Sequence, residues 1–455
     1  MMTRASSRAF TLTVFAIALS TAFVLAVSAL ASPSRALAYT ASQQGDADAP
    51  LQTASVPNAD SDSALKASAS TAKPAKPKAK QLKAFKKASA DFSLDLFKRC
   101  VAAKGKNANV TVAPMSVMTA LSIAANGAKG KTAKQMRAVL GDGASMAQIN
   151  QNLSWYNSKL VNKKKAKLRS ANAIWYHNGT YLKVRKAFMK AAKRYYQANI
   201  AAADFSDPAT TASINAWVAK QTNNMIKQVI DRLDKQDRLA IVNALYFDAE
   251  WADPYEKGSA VKASFHAANG KERTVQMLHG TEHTYISGKN ETGFVKPYAA
   301  GYSYVALLPK EGMSLKKYVS TLNGSTFRRL ISRATTDTVY TALPKYSISY
   351  TNEEMEKQLA AMGMPKAFAP TANFTGMATD ASGNLYLGKV IHKTKIRLDE
   401  QGTKAAAVTA VVAKANAAFN PDPKTVTLDR PFVYAIIDNT TKLPVFMGTV
   451  NNIGK

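Results

Sequence analysis

The sequence contains a single cysteine, Cys100, in 455 residues. One thiol cannot close an internal disulfide, and redox or zinc sites built from paired cysteines are excluded as well. The fold must therefore be held together by its hydrophobic core. A chain of this length has enough residues for one large domain or for two to three ordinary ones.

Acidic residues are also scarce, with 30 Asp and Glu against 61 Lys and Arg and a formal net charge of +31. The basic residues are mostly lysines, and no zinc-finger or helix-turn-helix pattern accompanies them. Scattered positive charge without such a module predicts no nucleic-acid partner. An anionic glycan remains a candidate partner.

Catalytic motifs are absent too, because neither G-x-S-x-G nor G-x-x-x-x-G-K-[ST] occurs. The segment His279–His283 does match H-x-x-E-H, a zinc-protease pattern. That chemistry requires both histidines on one helical face. Here Gly280 and Thr281 interrupt the pattern and a strand-like TVQML precedes it, so we predict no metal and no cofactor.

The N-terminus has the pattern of an export signal. Arg4 and Arg8 precede an apolar run from Phe10 to Leu30, and two A-x-A cleavage patterns end at Ala31 and Ala38. We therefore predict a signal peptide over residues 1–38 and a secreted, extracellular protein with no membrane segment after cleavage. An uncleaved anchor is the alternative, because a span needs about 20 apolar residues.

Residues 39–82 consist mainly of Ala, Ser, Asp, Gln, Pro and Lys, which cannot build a core. This composition predicts a disordered linker. Its Lys-rich end leaves open an association with the cell surface. The folded domain is then expected over residues 83–455.

Hydrophobic periodicity in this domain predicts helices first and strands later. Apolar spacing indicates helices within 84–101, 114–141, 144–169 and 213–230. The continuous apolar run Leu239–Phe247 predicts a central strand that is buried on both faces. Strand-like segments are Ala171–Tyr176 and most of the chain after residue 260. This order indicates an α+β fold.

One stretch near the C-terminus fits neither pattern. In Thr403–Lys414, ten of twelve residues are Ala, Val or Thr, and none is aromatic or Pro. Alanine favours helix, whereas Val and Thr favour strand. The segment is therefore suited to being exposed in one state and a buried strand in another.

Five ordered blocks between Ala84 and Lys455 resemble the serpin family. They are VTVAPMSVMTALSIAANGAKGKTAKQM (110–136), SINAWVAKQTNNMI (213–226), LAIVNALYFDAEWADPY (239–255) with the SFHAANGKERTVQM after it, LYLGKVIHKTKIRLDEQGTKAAAVTAVV (385–412) and DRPFVYAIIDNTTKLPVFMGTV (429–450). The resemblance implies a serpin fold with three β-sheets, about nine helices and an exposed reactive loop at about 400–428.

The resemblance also implies a mechanism. A target protease attacks one bond of the loop and forms an acyl-enzyme. The cleaved loop then inserts as a strand into the large sheet and carries the protease with it, over about 46 Å for fourteen residues. This makes the protein a suicide-substrate protease inhibitor and not an enzyme, and we expect it to act as a monomer.

Insertion requires small side chains on the face that enters the interior. Taking Thr403 as the first inward residue, as the resemblance implies, the inward set is Thr403, Ala405, Ala407, Thr409, Val411 and Ala413, and the outward set includes Lys404, Ala406 and Val408. The expected hinge comprises Glu400, Gly402 and residues Thr403 to Thr409. Non-inhibitory serpins tend to carry Pro, bulky or charged residues inward, and this chain has none there.

The scissile bond is left open. Counting fourteen residues from Gly402, as the family implies, places it between Asn416 and Ala417. The loop is longer than in familiar members before Arg430-Pro431-Phe432, so the position can shift. The alternatives are Lys414 for a trypsin-like pocket, Ala415, Ala417 or Val412 for an elastase-like pocket, Phe419 for a chymotrypsin-like pocket, and the neighbouring Ala418. The small residues favour an elastase-like or subtilisin-like target.

Four further residues match positions that control sheet opening in the family. Trp251 corresponds to an aromatic residue at the top of the large sheet. Ser116, Asn243 and His392 match a polar cluster beneath the point where the sheet opens. We expect His392 to hydrogen-bond Asn243 and Ser116 across strands that must part.

Other functions remain as alternatives. The chain could be a non-inhibitory serpin-fold binding protein, an inhibitor of a papain-like cysteine protease, which would accept Asn416, or a basic surface adhesin. The cluster from Lys163 to Arg169 lies where some serpins bind sulfated glycans, although a solvated surface is the simpler interpretation.

Overall fold

The computed structural model describes residues 74–160, 162–234, 237–381, 384–388, 390–403 and 423–453, and the structural statements below concern these residues. The predicted signal peptide, most of the predicted linker and every candidate for the scissile bond lie outside them. The same holds for the predicted hinge residues Lys404, Ala405, Ala406, Ala407, Val408 and Thr409.

The described part of the chain contains nine α-helices. They are α1 Ala79–Ala103, α2 Pro114–Ala125, α3 Gly130–Gly141, α4 Met146–Ser158, α5 Lys186–Tyr196, α6 Pro208–Gln221, α7 Leu315–Thr321, α8 Gly324–Ser332 and α9 Met355–Ala361. Pro114 opens α2, where its missing N–H leaves no intrahelical bond unmade. Helix α1 begins at Ala79, inside the segment predicted as linker.

Eighteen strands accompany these helices in the described residues. They are β1 Val110–Val112, β2 Asn162–Lys163, β3 Ala166–His177, β4 Leu182–Val184, β5 Asn199–Ala203, β6 Leu239–Glu250, β7 Val261–His266, β8 Glu272–Ser287, β9 Glu291–Pro297, β10 Tyr302–Pro309, β11 Thr335–Pro344, β12 Tyr346–Asn352, β13 Ala378–Asp380, β14 His392–Asp399, β15 Gly402–Thr403, β16 Lys424–Thr427, β17 Phe432–Asp438 and β18 Pro444–Val450.

The strands form three sheets of nine, seven and two strands. The nine-stranded sheet contains β10, β17 and β18, whose residues are almost all buried. Strands that are buried along their whole length must be covered on both faces. The predicted α+β class and three sheets are confirmed.

The seven-stranded sheet positions the candidate site. Its strand order is β12-β14-β15-β6-β3-β2, and β5 also pairs with β3. The two-residue strand β15 lies between the long strands β14 and β6. Over the described residues, no ladder joins β14 directly to β6.

Two helix predictions were too long. The helix predicted over 144–169 ends at Ser158, and the chain then turns into β2 and β3. A ladder with β6 from Ala166 to Tyr176 outweighs the helix propensity of the lysines there. The helix predicted over 213–230 ends at Gln221, because Asn223 and Asn224 adopt positive φ angles of 49° and 59°.

The predicted central strand Leu239–Phe247 forms as part of β6, but its burial was overestimated. Val242, Ala244 and Tyr246 are buried, whereas the residues between them are half-buried. Over Val242–Tyr246, one face of β6 is therefore buried and the other is half-buried. No helix in the described residues is long and apolar enough to span a bilayer.

Candidate functional site

The described end of the segment predicted as the reactive loop, Glu400–Thr403, follows directly after β14 and contains the start of the predicted hinge. Gly402 pairs with Asp399 of β14 on one side and with Glu250 of β6 on the other. A Cβ atom at Gly402 would lie 2.0 Å from the carbonyl oxygen of Ala249. Only glycine permits the hinge to approach β6 so closely.

Thr403 is the last described residue before the loop, and it already occupies a strand position. It pairs with Leu398 and with Ala249. Its side chain points into the protein, with 2% of the residue exposed, and its hydroxyl is 2.5 Å from the hydroxyl of Tyr298. The inward register expected for the residues after Thr403 stays a prediction, because they lie outside the described part of the chain.

Trp251 holds the backbone of the hinge from the end of β6. Its indole Nε1 donates to the carbonyl of Asp399 at 3.1 Å, and its backbone N–H donates to the carbonyl of Gln401 at 2.9 Å. The indole stacks on Tyr298 with 4.4 Å between ring centroids. One aromatic pair therefore contacts both the backbone and the first inward side chain of the hinge.

Tyr255 and Lys345 complete the contacts to the hinge. The backbone N–H of Tyr255 donates to the carbonyl of Glu400 at 3.0 Å. The ammonium of Lys345 lies 2.7 Å from Glu400 Oε1. Burial acts to raise the pKa of Glu400, but the hydrogen bond and charge of Lys345 prevail and leave the pKa below its usual value.

A buried ion pair lies behind these aromatic residues. Lys296 Nζ is 2.6 Å from Glu282 Oε1, and the two side chains are only 4% and 6% exposed. Lys296 Nζ also donates to the carbonyl of Asp253 at 3.1 Å. The ammonium lies 4.4 Å from the ring centroid of Tyr255 and 5.4 Å from that of Trp251.

Glu282 of this ion pair is also the glutamate of the H-x-x-E-H pattern. His279 and His283 lie on the exposed face of β8, whereas Glu282 points to the opposite, buried face. A strand separates these side chains onto two faces. The described residues contain no group of three metal-ligating side chains.

The predicted polar cluster is only partly as expected. Ser116 and Asn243 are hydrogen-bonded to each other, and Asn243 Nδ2 also donates to Ser170 Oγ at 3.0 Å and to Asn172 Oδ1 at 2.6 Å. These bonds connect α2 with β6 and β3. They stabilise the β6 side of the boundary between β14 and β6, where β6 pairs with β3.

His392 makes a different contact from the one we predicted. Its Nε2 accepts from the backbone N–H of Ala113 at 3.1 Å. His392 belongs to β14, whereas Asn243 belongs to β6, and these strands have no direct ladder in the described part. The expected bonds from His392 to Asn243 and Ser116 were therefore wrong in their partners. Burial lowers the pKa of His392 to about 4, so the ring is neutral near pH 7.

A longer polar network, which was not predicted from the sequence, continues from Asn172. Asn172 Nδ2 donates to the carbonyl of Tyr196, and the Tyr196 hydroxyl donates to Asn150 Oδ1 at 2.6 Å. Asn150 Nδ2 in turn donates to Asn126 Oδ1 at 2.7 Å. No short motif marks these residues. Lys296 could have been recognised from the sequence as unusual, since it is the one charged residue within the strand-like segment GFVKPY.

Comparisons with known proteins agree with this geometry. A family model described as Serpin (serine protease inhibitor) matches residues 87–453. An uncharacterized serpin-like protein of Thermococcus kodakarensis is 33% identical over 373 residues, which cover 79% of this chain and 84% of that protein. A serine protease inhibitor of Cyanea capillata is 30% identical over 366 residues, which cover 76% of this chain and 93% of that protein.

The fold has a solved counterpart as well. The crystal structure of the thermophilic serpin tengpin in its native state matches with a TM-score of 0.78 and 39% identity, covering 86% of this chain and 98% of that one. Three sheets with a hinge strand at the end of β14 define the serpin fold. The chain belongs to the serpin family, many of whose members are protease inhibitors, and it is not an enzyme.

Proposed function

We propose that the protein is a secreted suicide-substrate inhibitor that traps a serine protease by inserting its cleaved loop between β14 and β6. The observation that carries this proposal is the position of β15. Gly402 and Thr403 already pair with both neighbouring strands. Continuing the same register would place the rest of the cleaved loop along the boundary between β14 and β6.

The side chains that follow Thr403 fit such an insertion. Every second residue from Thr403 to Ala413 is small or β-branched, and the two lysines Lys404 and Lys414 fall on the other face. A strand that inserts must bury one face and can leave the other in solvent. Both charged residues would therefore stay in water, so insertion would bury no charge.

The test is incubation with elastase-, subtilisin-, trypsin- and chymotrypsin-like proteases. We expect a covalent complex that survives denaturing electrophoresis with at least one of them, and elastase- or subtilisin-like enzymes are favoured. Mass spectrometry of the released C-terminal peptide identifies the bond, which we place at Asn416–Ala417. Cleavage by all four proteases without any complex would contradict the proposal.

A papain-like cysteine protease is the second candidate target. Asn416 suits few serine proteases, whereas some cysteine proteases accept it. A thioester complex with such an enzyme, and none with the serine proteases, would select this alternative. A non-inhibitory binding role would instead give cleavage without trapping.

We propose secretion from the sequence of residues 1–38. N-terminal sequencing of the mature protein from culture medium should give a start just after Ala31 or Ala38. Recovery of the intact N-terminus in the membrane fraction would instead indicate a retained anchor.

We also propose an anionic glycan partner, but at a different place from the cluster predicted at Lys163–Arg169. Residues 143–203 contain twelve Lys and Arg and no Asp or Glu. Helix α5 presents four of them to solvent, namely Lys186, Lys190, Lys193 and Arg194. In the predicted cluster, by contrast, Lys165 is already paired with Glu250 at 3.5 Å.

The test compares binding of dextran sulfate and uncharged dextran. Replacing the four basic residues of α5 by Gln should weaken dextran sulfate binding, and the wild-type affinity should fall as salt screens the charges. The matched control replaces four exposed lysines elsewhere, Lys257, Lys262, Lys271 and Lys289. Equal loss in both variants would show a non-specific effect of net charge.

A further inference from the structure

The buried pair of Lys296 and Glu282 has no role in the function described so far. A buried ion pair often stabilises a protein no better than apolar residues of the same size. Its position therefore calls for an explanation other than stability. The pair lies on β9 and β8, in the nine-stranded sheet, and its ammonium reaches toward the chain that leaves β6.

The ammonium of Lys296 contacts that chain at three points. It donates to the carbonyl of Asp253, and it faces the rings of Trp251 and Tyr255 at 5.4 and 4.4 Å. A cation held against aromatic faces in a desolvated site attracts both rings. Lys296 thus holds the segment Trp251–Tyr255 through these contacts, while the hydrogen bond to Glu282 orients the ammonium.

The same segment also contacts the hinge. The backbone N–H groups of Trp251 and Tyr255 donate to the carbonyls of Gln401 and Glu400. We shall call Trp251–Tyr255 the hinge platform. The ion pair, the hinge platform and the hinge form a continuous chain of contacts from the core to the start of the reactive loop.

We propose that Lys296 and Glu282 position the hinge platform so that it keeps Gly402 and Thr403 seated between β14 and β6. They are positioning residues for loop insertion, and in this sense the inference rests on the proposed inhibitory function. Without the pair, the platform shifts, the hinge leaves the sheet more often, and insertion after cleavage is slower.

The primary test is hydrogen exchange of the full-length protein, which does not depend on any protease. In Lys296→Met and in Glu282→Gln, the amides of Trp251 and Tyr255 should exchange about tenfold faster than in wild type. The control is Asp380→Asn, which disturbs the ion pair of Arg238 and Asp380 elsewhere in the fold. It should leave these two amides unchanged.

A double variant separates positioning from stability. Lys296→Met with Glu282→Leu removes both charges and leaves apolar side chains, so its melting temperature should return toward that of wild type. Exchange at Trp251 and Tyr255 should stay fast, because the cation that held the rings is gone. Recovery of slow exchange together with stability would overturn the proposal.

A functional measurement completes the test. More inhibitor molecules should be consumed per trapped protease in both single variants than in Asp380→Asn. If wild type traps no protease, the inhibitory function fails while the exchange result still decides the positioning role. If wild type traps and exchange is unchanged in both single variants, the positioning role is wrong and the inhibitory function stands.

Discussion

At the scale of single residues, the proposed loop insertion depends most on Thr403. Its side chain is buried beside Tyr298, so a charge placed there would lose its contact with solvent. Burying an unpaired cation costs several kcal/mol. The first inward position is thus the most sensitive place in the described hinge.

We expect Thr403→Arg to convert the inhibitor into a substrate. The protease would still cleave the loop, but insertion would stop at the first inward residue. The measurement is the fraction of protease trapped on denaturing gels. Thr403→Val keeps the shape without a charge, so it serves as the control and should still trap. Equal trapping by both variants would show that the inward register is wrong.

His392 makes the stability of the native state depend on pH. Its pKa is lowered from 6.5 to about 4 by burial, so the unfolded chain binds a proton at a higher pH than the folded chain does. The stability that depends on the neutral ring is complete above pH 6.5 and is lost as pH falls toward 4. The total contribution is about 3 kcal/mol.

Denaturant unfolding between pH 7 and 4 measures this contribution. His392→Gln should flatten the dependence in this range, whereas His279→Gln, on an exposed face of β8, should leave it unchanged. An unchanged slope in His392→Gln would mean that other groups carry the pH dependence.

At the scale of strands and helices, Asn243 connects three elements. Its side chain bonds Ser116 of α2 and both Ser170 and Asn172 of β3. Asn243→Ala leaves these partners without their bond, which costs about 2 kcal/mol. Chemical denaturation should show this loss, and Asn107→Ala, at an exposed position after α1, serves as a surface control. A loss below 0.5 kcal/mol, roughly the range of surface substitutions, would argue against the network.

The sequence predicted strands and helices well where local pattern and tertiary contacts agree. Pro114 marks the start of α2, and the apolar run at Leu239 gives β6. The pattern failed at 159–169, where lysines favour helix but pairing with β6 forms a strand. Long-range pairing of this kind leaves no local signal.

The same limit applies to the site. The five ordered sequence blocks made it possible to predict a role for four residues, because each lies within a block. These residues are Trp251, Ser116, Asn243 and Gly402. The partner of His392 could not be predicted, since it depends on whether β14 lies next to β6. Tyr298 and Lys345 come from segments distant in sequence and meet the hinge only in the folded chain.

At the scale of the whole molecule, the uncut protein keeps a sheet whose ladder is incomplete between β14 and β6 in the described residues. Filling that boundary with the cleaved loop adds a strand with bonds on both sides. We therefore expect cleavage to stabilise the molecule, unlike cleavage in most surface loops.

Limited digestion with a protease that cleaves the loop without forming a covalent complex, followed by thermal unfolding, checks this expectation. The cleaved form should melt at least 10 °C higher than the intact form. For a domain of this size, such a shift corresponds to a free energy of unfolding that is larger by roughly a few kcal/mol. The cleaved Thr403→Arg variant should show no such rise. An unchanged melting temperature in cleaved wild type would contradict insertion.

The stacking of Trp251 on Tyr298 also has an optical consequence. The indole lies next to a cation and within bonding distance of the hinge backbone. The other three tryptophans, at 155, 175 and 217, belong to α4, β3 and α6. The wavelength of tryptophan emission should therefore change as the hinge moves, which would make Trp251 an intrinsic fluorescent reporter of the proposed insertion, readable in real time without a label.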